Sequence, residues 1–193
     1  MATESFIIDK NVKASFFKLK NINNQYYTLD ELYGQNGILI MFICNHCPYV
    51  KAVINKIVRD AKDLNNIGIK SVAIMSNNTD EYPEDSFENM KKFSKKYNFC
   101  FPYLYDETQE VAKQYDAVCT PDFFGFDKYK TLRYRGRIDN SGLKNEPSAT
   151  RELYLSMKAI KENKIISFNN PSIGCSIKWK NTVWVQLIKP KFL

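Results

Sequence analysis

Apolar residues along this chain alternate between short runs and helical stripes, and that alternation predicts an order of elements. Residues 14–29, ASFFKLKNINNQYYTL, read as a strand, an Asn-rich turn and a second strand, a hairpin near the N-terminus. GILIMFIC (37–44) is a nearly continuous apolar run, as in a strand buried on both faces. From Pro48 onward Val50, Ile54, Ile57, Val58, Ala61 and Leu64 fall on one helical stripe, with Lys51, Arg59 and Lys62 largely off it. Gly68 suits the end of that helix.

IKSVAIM (69–75) is a second buried-strand candidate, followed by the polar loop SNNTDEYPED. Phe87, Met90, Phe93 and Tyr97 then recur at helical spacing, FPYLYD (101–106) returns to strand character, and TQEVAKQY (108–115) is a short helix. DFFGFDKYKTLRYRGR (122–137) reads as two strands joined around Asp127 to Lys130, and residues 148–164 form a closing helix. Strands alternating with helices predict an α/β sandwich with a largely parallel core and an antiparallel hairpin at one edge. The segment 165–193 has no clear period and reads as an extended C-terminal arm.

Length and composition narrow the class. A chain of 193 residues fits one domain spanning 1–193, with a core at about 14–164. Hydrophobic residues at 44% and charged residues at 25% match a folded globular chain. No apolar stretch approaches the roughly 20 residues of a membrane helix. The opening MATESFIIDKN lacks a basic region followed by an apolar one, so a cytoplasmic address is the default expectation. The net charge of +7 comes from lysines scattered along the chain without an aromatic binding motif, which points to a solvated surface and to no nucleic-acid partner.

The candidate chemistry lies in MFICNHCPYVKAV (41–53). Cys47 falls between the end of a buried strand and the start of a helix whose first turn holds Pro48, a residue suited to that position because no amide proton is needed there. Free N–H groups and partial positive charge at a helix N-terminus favour a thiolate. Thiol–disulfide exchange also needs a second thiol to resolve the mixed disulfide, and Cys44 is the nearest in sequence. His46 could tune the thiolate as an imidazolium. Cys44, His46 and Cys47 lack the second C-x-x-C or H-x-H of a closed zinc site, so no metal is expected; no organic cofactor is implied by the thiol–disulfide exchange reading.

Of the other cysteines, Cys100 reads as core, Cys119 as packing or site-facing, and Cys175, in a Gly/Ser-rich arm able to fold back, as a possible resolving thiol. An odd count of five, irregularly spaced, does not resemble a secreted disulfide scaffold. Arg135 and Arg137 read as surface charges on an edge strand.

GILIMFICNHCPYVKAVINKI resembles the active-site strand, turn and helix of the thioredoxin superfamily, and Cys47-Pro48-Tyr49 repeats the start of the glutaredoxin motif C-P-Y-C, with Val50 at its second cysteine. In that register Cys47 is the attacking thiol. In the other register Cys44-x-x-Cys47 is itself the C-x-x-C pair and Cys47 takes the opposite role. CTPDFFGFD (119–127) is similar to the segment that carries a cis-proline beside the redox site. The resemblance makes Thr120-Pro121 that bond and lets it present backbone to an extended substrate.

Together with FFKLKNINNQYYTLDEL, YPEDSFENM, PYLYDETQEVAKQY and PSIGCSIKWK, these segments resemble a peroxiredoxin-like branch, over about residues 14 to 180. The resemblance implies a thioredoxin-like fold with a central mixed sheet flanked by helices. It also implies thiol–disulfide exchange with a protein or small-molecule disulfide, reducing equivalents from a thiol, or alternatively peroxide reduction. Laid on Cys47, the peroxiredoxin frame P-x-x-x-T-x-x-C has Ile40 at its proline and Cys44 at its threonine. A third alternative is a redox-regulated binding protein without turnover. Beyond Lys180, the alternating apolar residues of NTVWVQLIKPKFL suit an extra edge strand or a contact with another chain.

Overall fold

The computed structural model describes residues 2–5, 12–144, 146–168 and 170–180; the sequence beyond Lys180, with the edge strand or contact expected there, lies outside them. In chain order the elements are β1 (Ala2–Glu4), β2 (Lys18–Asn21), β3 (Tyr26–Thr28), α1 (Leu29–Leu32), β4 (Gly37–Phe42), α2 (Pro48–Asn66) and β5 (Ile69–Met75). There follow α3 (Phe87–Lys96), β6 (Tyr103–Tyr105), α4 (Glu110–Gln114), β7 (Cys119–Thr120), β8 (Asp122–Asp127), β9 (Leu132–Gly136), α5 (Glu152–Lys161) and β10 (Ile173–Ser176).

The main sheet runs β3-β2-β6-β5 and continues through β4-β8-β9. Asn36 N–H donates to the Gly68 carbonyl at 2.9 Å and Ile43 N–H to the Ile74 carbonyl at 3.0 Å, so β4 and β5 lie side by side, start to start and end to end. With the parallel pair β5 and β6 they form a parallel centre. Antiparallel strands flank it on both sides, β2 and β3 on one and β8 and β9 on the other, where the sequence pattern had led us to expect a hairpin at one edge. This is the mixed sheet of a thioredoxin-like fold.

Strand alternation explains the unbroken apolar run of β4. Leu39, Met41 and Ile43 enter one core layer with Val50, Ile54, Ile57 and Leu64 of α2, Met90 and Phe93 of α3 and Leu153 and Met157 of α5. Ile38, Ile40 and Phe42 enter the opposite layer with Phe17, Leu29, Val111 and Tyr115. Both faces of the strand are therefore covered, and a polar residue would fit on neither.

Three sequence expectations are corrected. Cys100 is exposed rather than core: in the stretch Phe99–Phe101 the two rings turn inward, 4.6 Å apart, and leave the intervening side chain outside. Arg135 is buried, not a surface charge, with its guanidinium 2.8 Å from Asp122 and 4.5 Å over the Phe124 ring. The closing helix begins at Glu152 rather than at 148. Arg137 is partly exposed and forms a two-point pair with Glu152, at 3.0 and 2.7 Å. No helix among the described residues is long and apolar enough to cross a membrane.

Candidate active site

β4 delivers the chain to Cys44 in the interior, and α2 starts immediately after Cys47 with Pro48 in its first turn. The turn between them is clamped by a residue that the sequence pattern did not single out. Asp85, fully buried after the polar loop, accepts from the Asn45 N–H at 2.8 Å and the His46 N–H at 3.2 Å through Oδ1. Its Oδ2 lies 2.7 Å from His46 Nδ1 and accepts from Asn77 Nδ2, also at 2.7 Å. Tyr103 adds a hydroxyl donated to Asn45 Oδ1 at 3.0 Å. The His46 ring stacks on Tyr82, with centroids 5.6 Å apart.

Donor atoms of Cys44, His46 and Asp85 all lie within 4.8 Å of one another. The 2.7 Å separation of His46 Nδ1 and Asp85 Oδ2 is that of a hydrogen bond. A tetrahedral zinc ion would hold such a pair about 3.3 Å apart, so as it stands the cluster is a brace for the turn. The nitrogen that faces Asp85 is engaged there.

Cys47 and Cys44 are both free and fully buried. Cys47 Sγ is 3.1 Å from the Thr120 carbonyl oxygen, and Cys44 Sγ is 3.4 Å from Thr120 Oγ1. The Thr120–Pro121 peptide is cis. Across β7, β10 pairs antiparallel with Cys175 opposite Thr120 and Ser176 opposite Cys119. Four of the five cysteines thus meet around one residue, Thr120, and only Cys100 stands apart.

The electrostatics separate the thiols. A hydrogen bond from Cys44 pulls the Cys47 thiol down to about 5, against burial, with help from the Val50 N–H, the Thr120 hydroxyl and Cys175. The Thr120 carbonyl accepts from the thiol form and opposes ionisation, but these donors outweigh it. Donation to Cys47, together with burial, holds Cys44 well above the ordinary thiol value. Burial first, and then donation to Cys47, pushes Cys175 up to about 11. Cys119 is raised by burial and by Asp122. One thiolate among protonated neighbours is the arrangement that nucleophilic attack on sulfur requires.

A cavity of about 310 Å³ adjoins the turn, lined by Tyr49, Val53, Pro121, Phe123, Ile138, Leu143, Ser172 and Ile173, with Arg137 and Asp139 at its wall. Those two charges are already paired, with Glu152 and with Lys56.

The sequence model of the AhpC/TSA family matches residues 6–135. Among curated proteins none matches. The crystal structure of an uncharacterized conserved protein from Geobacillus kaustophilus superposes with a TM-score of 0.90 at 45% identity, over 94% of this chain and 98% of that one. A hypothetical protein from Sinorhizobium meliloti 1021 gives 0.88 at 35% identity, over 93% and 99%. A secreted disulfide oxidoreductase from Mycobacterium tuberculosis gives 0.56 at 19% identity, over 74% and 95%, a likeness of fold.

Proposed function

The chain belongs to the AhpC/TSA family, and on that footing we propose that it is a thiol–disulfide oxidoreductase with Cys47 as its nucleophile. Thiol-based redox chemistry is common ground; the direction towards disulfides is our reading. The observation that carries it is the placement of Cys47, buried at the N-terminus of α2 with its Sγ 3.1 Å from the Thr120 carbonyl beside the cis Thr120–Pro121 peptide, in surroundings that pull its thiol down to about 5. Cys47 attacks a substrate sulfur, a neighbouring thiol closes the protein disulfide, and an external thiol returns the pair to the dithiol state. Pro48 fixes the first turn so that the amides beyond it face the sulfur. Thr120 and Pro121 form the wall against which the sulfur lies, and His46 with Asp85 holds the turn. No organic cofactor enters this scheme, and the cytoplasm, with its thiol reductants, is the compartment it suits.

A thiol peroxidase is the second reading, supported by the family match. Against it, the position three residues before Cys47 holds Cys44 where a peroxidase frame carries a threonine. Stopped-flow mixing with hydrogen peroxide separates the two: we expect a rate no faster than that of free cysteine. Reduction of an aromatic low-mass disulfide is expected of the wild type and lost in Cys47→Ser. A wild type that turns over neither substrate would leave a redox-regulated binding protein.

A further inference from the structure

We infer that β10 acts as a built-in substrate strand, so that Cys175 resolves the Cys47 mixed disulfide and the enzyme accepts small disulfides in preference to polypeptide ones. This rests on Cys47 being the nucleophile. The placement of β10 is specific. Cys175 stands directly opposite Thr120, the residue whose carbonyl lies 3.1 Å from Cys47 Sγ. The pairing continues beyond the strand, with the Ile177 N–H donating to the Val118 carbonyl at 3.1 Å. Gly174 leaves no room for a side chain against the Thr120 backbone, so the strand approaches as closely as a strand can.

An extended polypeptide bringing its disulfide to Cys47 would dock on this edge through main-chain hydrogen bonds. The edge is already taken. β10 is itself held on its far side by β1, in the register Ala2 to Cys175, Thr3 to Gly174 and Glu4 to Ile173. Cys47 has 0% exposure beneath this arrangement, whereas Cys175 is partly accessible. The cavity bounded by Tyr49, Pro121 and Ile173 runs beside the same strand, and its volume of about 310 Å³ is at the small end of ligand pockets. Cys44, in turn, is wholly buried with its Sγ 3.4 Å from Thr120 Oγ1, and its place beside Cys47, together with burial, holds its thiol well above the ordinary value.

In the forward reaction the Cys47 thiolate attacks one sulfur of R–S–S–R, forming Cys47–S–S–R and releasing one thiolate. Cys175, giving up its proton, attacks Cys47 Sγ and releases the second. The protein thiolate and thiol are oxidised to one disulfide and the substrate disulfide is reduced to two thiols, one taking the proton given up by Cys175 and the other, because Cys47 starts as the thiolate, taking its proton from solvent. External thiol reverses the protein half in two attacks: the first enters at the accessible Cys175 sulfur and expels Cys47, the better leaving group, and a second releases Cys175 and leaves as the disulfide of the external thiol.

The test uses the pre-reduced full chain, bis(2-hydroxyethyl) disulfide as the small probe and insulin as the polypeptide one. Two equivalents of 2-mercaptoethanol per chain and a Cys47–Cys175 bond by mass spectrometry are expected. Cys175→Ser should stop at one equivalent, with the probe retained on Cys47, and Cys44→Ser should still close Cys47–Cys175. A Cys44–Cys47 bond in the wild type, with two equivalents from Cys175→Ser, overturns the assignment. Insulin reduced as fast as the small probe overturns the substrate restriction. Thiol release by Cys47→Ser overturns instead the exchange reading beneath both.

Discussion

A β carbon on Gly174 would lie 2.1 Å from the Thr120 carbonyl oxygen and 2.5 Å from its carbonyl carbon. The contact is with backbone, which cannot rotate away as a side chain could. Gly174→Ala is therefore expected to push β10 off β7 and to lower stability by about 1–3 kcal/mol. Thermal unfolding measures the loss, and amide exchange at Ile177, which donates across this pairing, should quicken with it. An unchanged melting temperature with unchanged exchange would show that the strand is not held as described.

The Cys47 thiolate sets a pH dependence. Its thiol lies at about 5 in the folded protein against an ordinary 9.0, so the unfolded chain binds the extra proton between those values. Stability contributed by Cys47 is thus complete above about pH 9, declines as the pH falls, and is gone below about 5. Cys44 and Cys175, both shifted upward, stay protonated in the folded protein through this window, and their ionisation in the unfolded chain as the pH nears 9.0 is shared by wild type and Cys47→Ser. The difference in unfolding free energy between wild type and Cys47→Ser should therefore grow from pH 5 to pH 9. Thiolate absorbance should titrate near 5, and a midpoint near 9 would contradict the site as drawn.

Cys44 is the largest influence lowering Cys47. Cys44→Ala should raise the midpoint of that absorbance titration, while Cys44→Ser, which keeps a donor, should leave it nearer the wild-type value. Equal midpoints in all three proteins would shift the credit to the Val50 amide and the Thr120 hydroxyl.

Asp85→Ala strips partners from the Asn45 and His46 amides, His46 Nδ1 and Asn77 Nδ2 at once. The expected loss is about 2–4 kcal/mol by thermal or urea unfolding, with Asp85→Asn milder because an oxygen remains for the two backbone donors. A loss below about 1 kcal/mol would mean that water takes over the clamp.

Burial raises Asp122 to about 6 even though Arg135 pairs with it. Its contribution to stability is accordingly full below pH 3.8 and is lost as the pH rises through about 6. Arg135→Met, which leaves the carboxylate alone at 0% exposure, should cost about 3–5 kcal/mol at neutral pH. Adding Asp122→Asn should recover part of that, as urea unfolding of the single and double variants would show. No recovery would place the cost in lost packing on Phe124.

The strand–turn–helix around Cys47 was legible because it combines signals of different kinds: an apolar run suited to a doubly covered strand, a proline suited to the first turn of a helix, and a thiol at their junction. Asp85 was not, because Asp80, Glu81 and Glu84 in the same polar loop look equivalent until folding buries one of them. Arg135 and Cys100 were misjudged by residue type, where strand alternation and neighbouring rings decide which side faces inward. β10 escaped notice for another reason. Four residues with two small ones carry no period, and the strand exists through main-chain pairing with two short partners far off in sequence, β7 more than fifty positions earlier and β1 at the start of the chain.

β10 is also the last described strand to leave the ribosome. Until it does, the nascent chain already holds Cys44, Cys47 and the β7 edge, with nothing laid across them. The same atoms that form a shielded three-thiol site at the end of synthesis pass through an interval as an open dithiol beside an unpaired strand. On the inference drawn above for β10, the newborn protein in that interval is open to the polypeptide disulfides and strand partners that its finished form turns away.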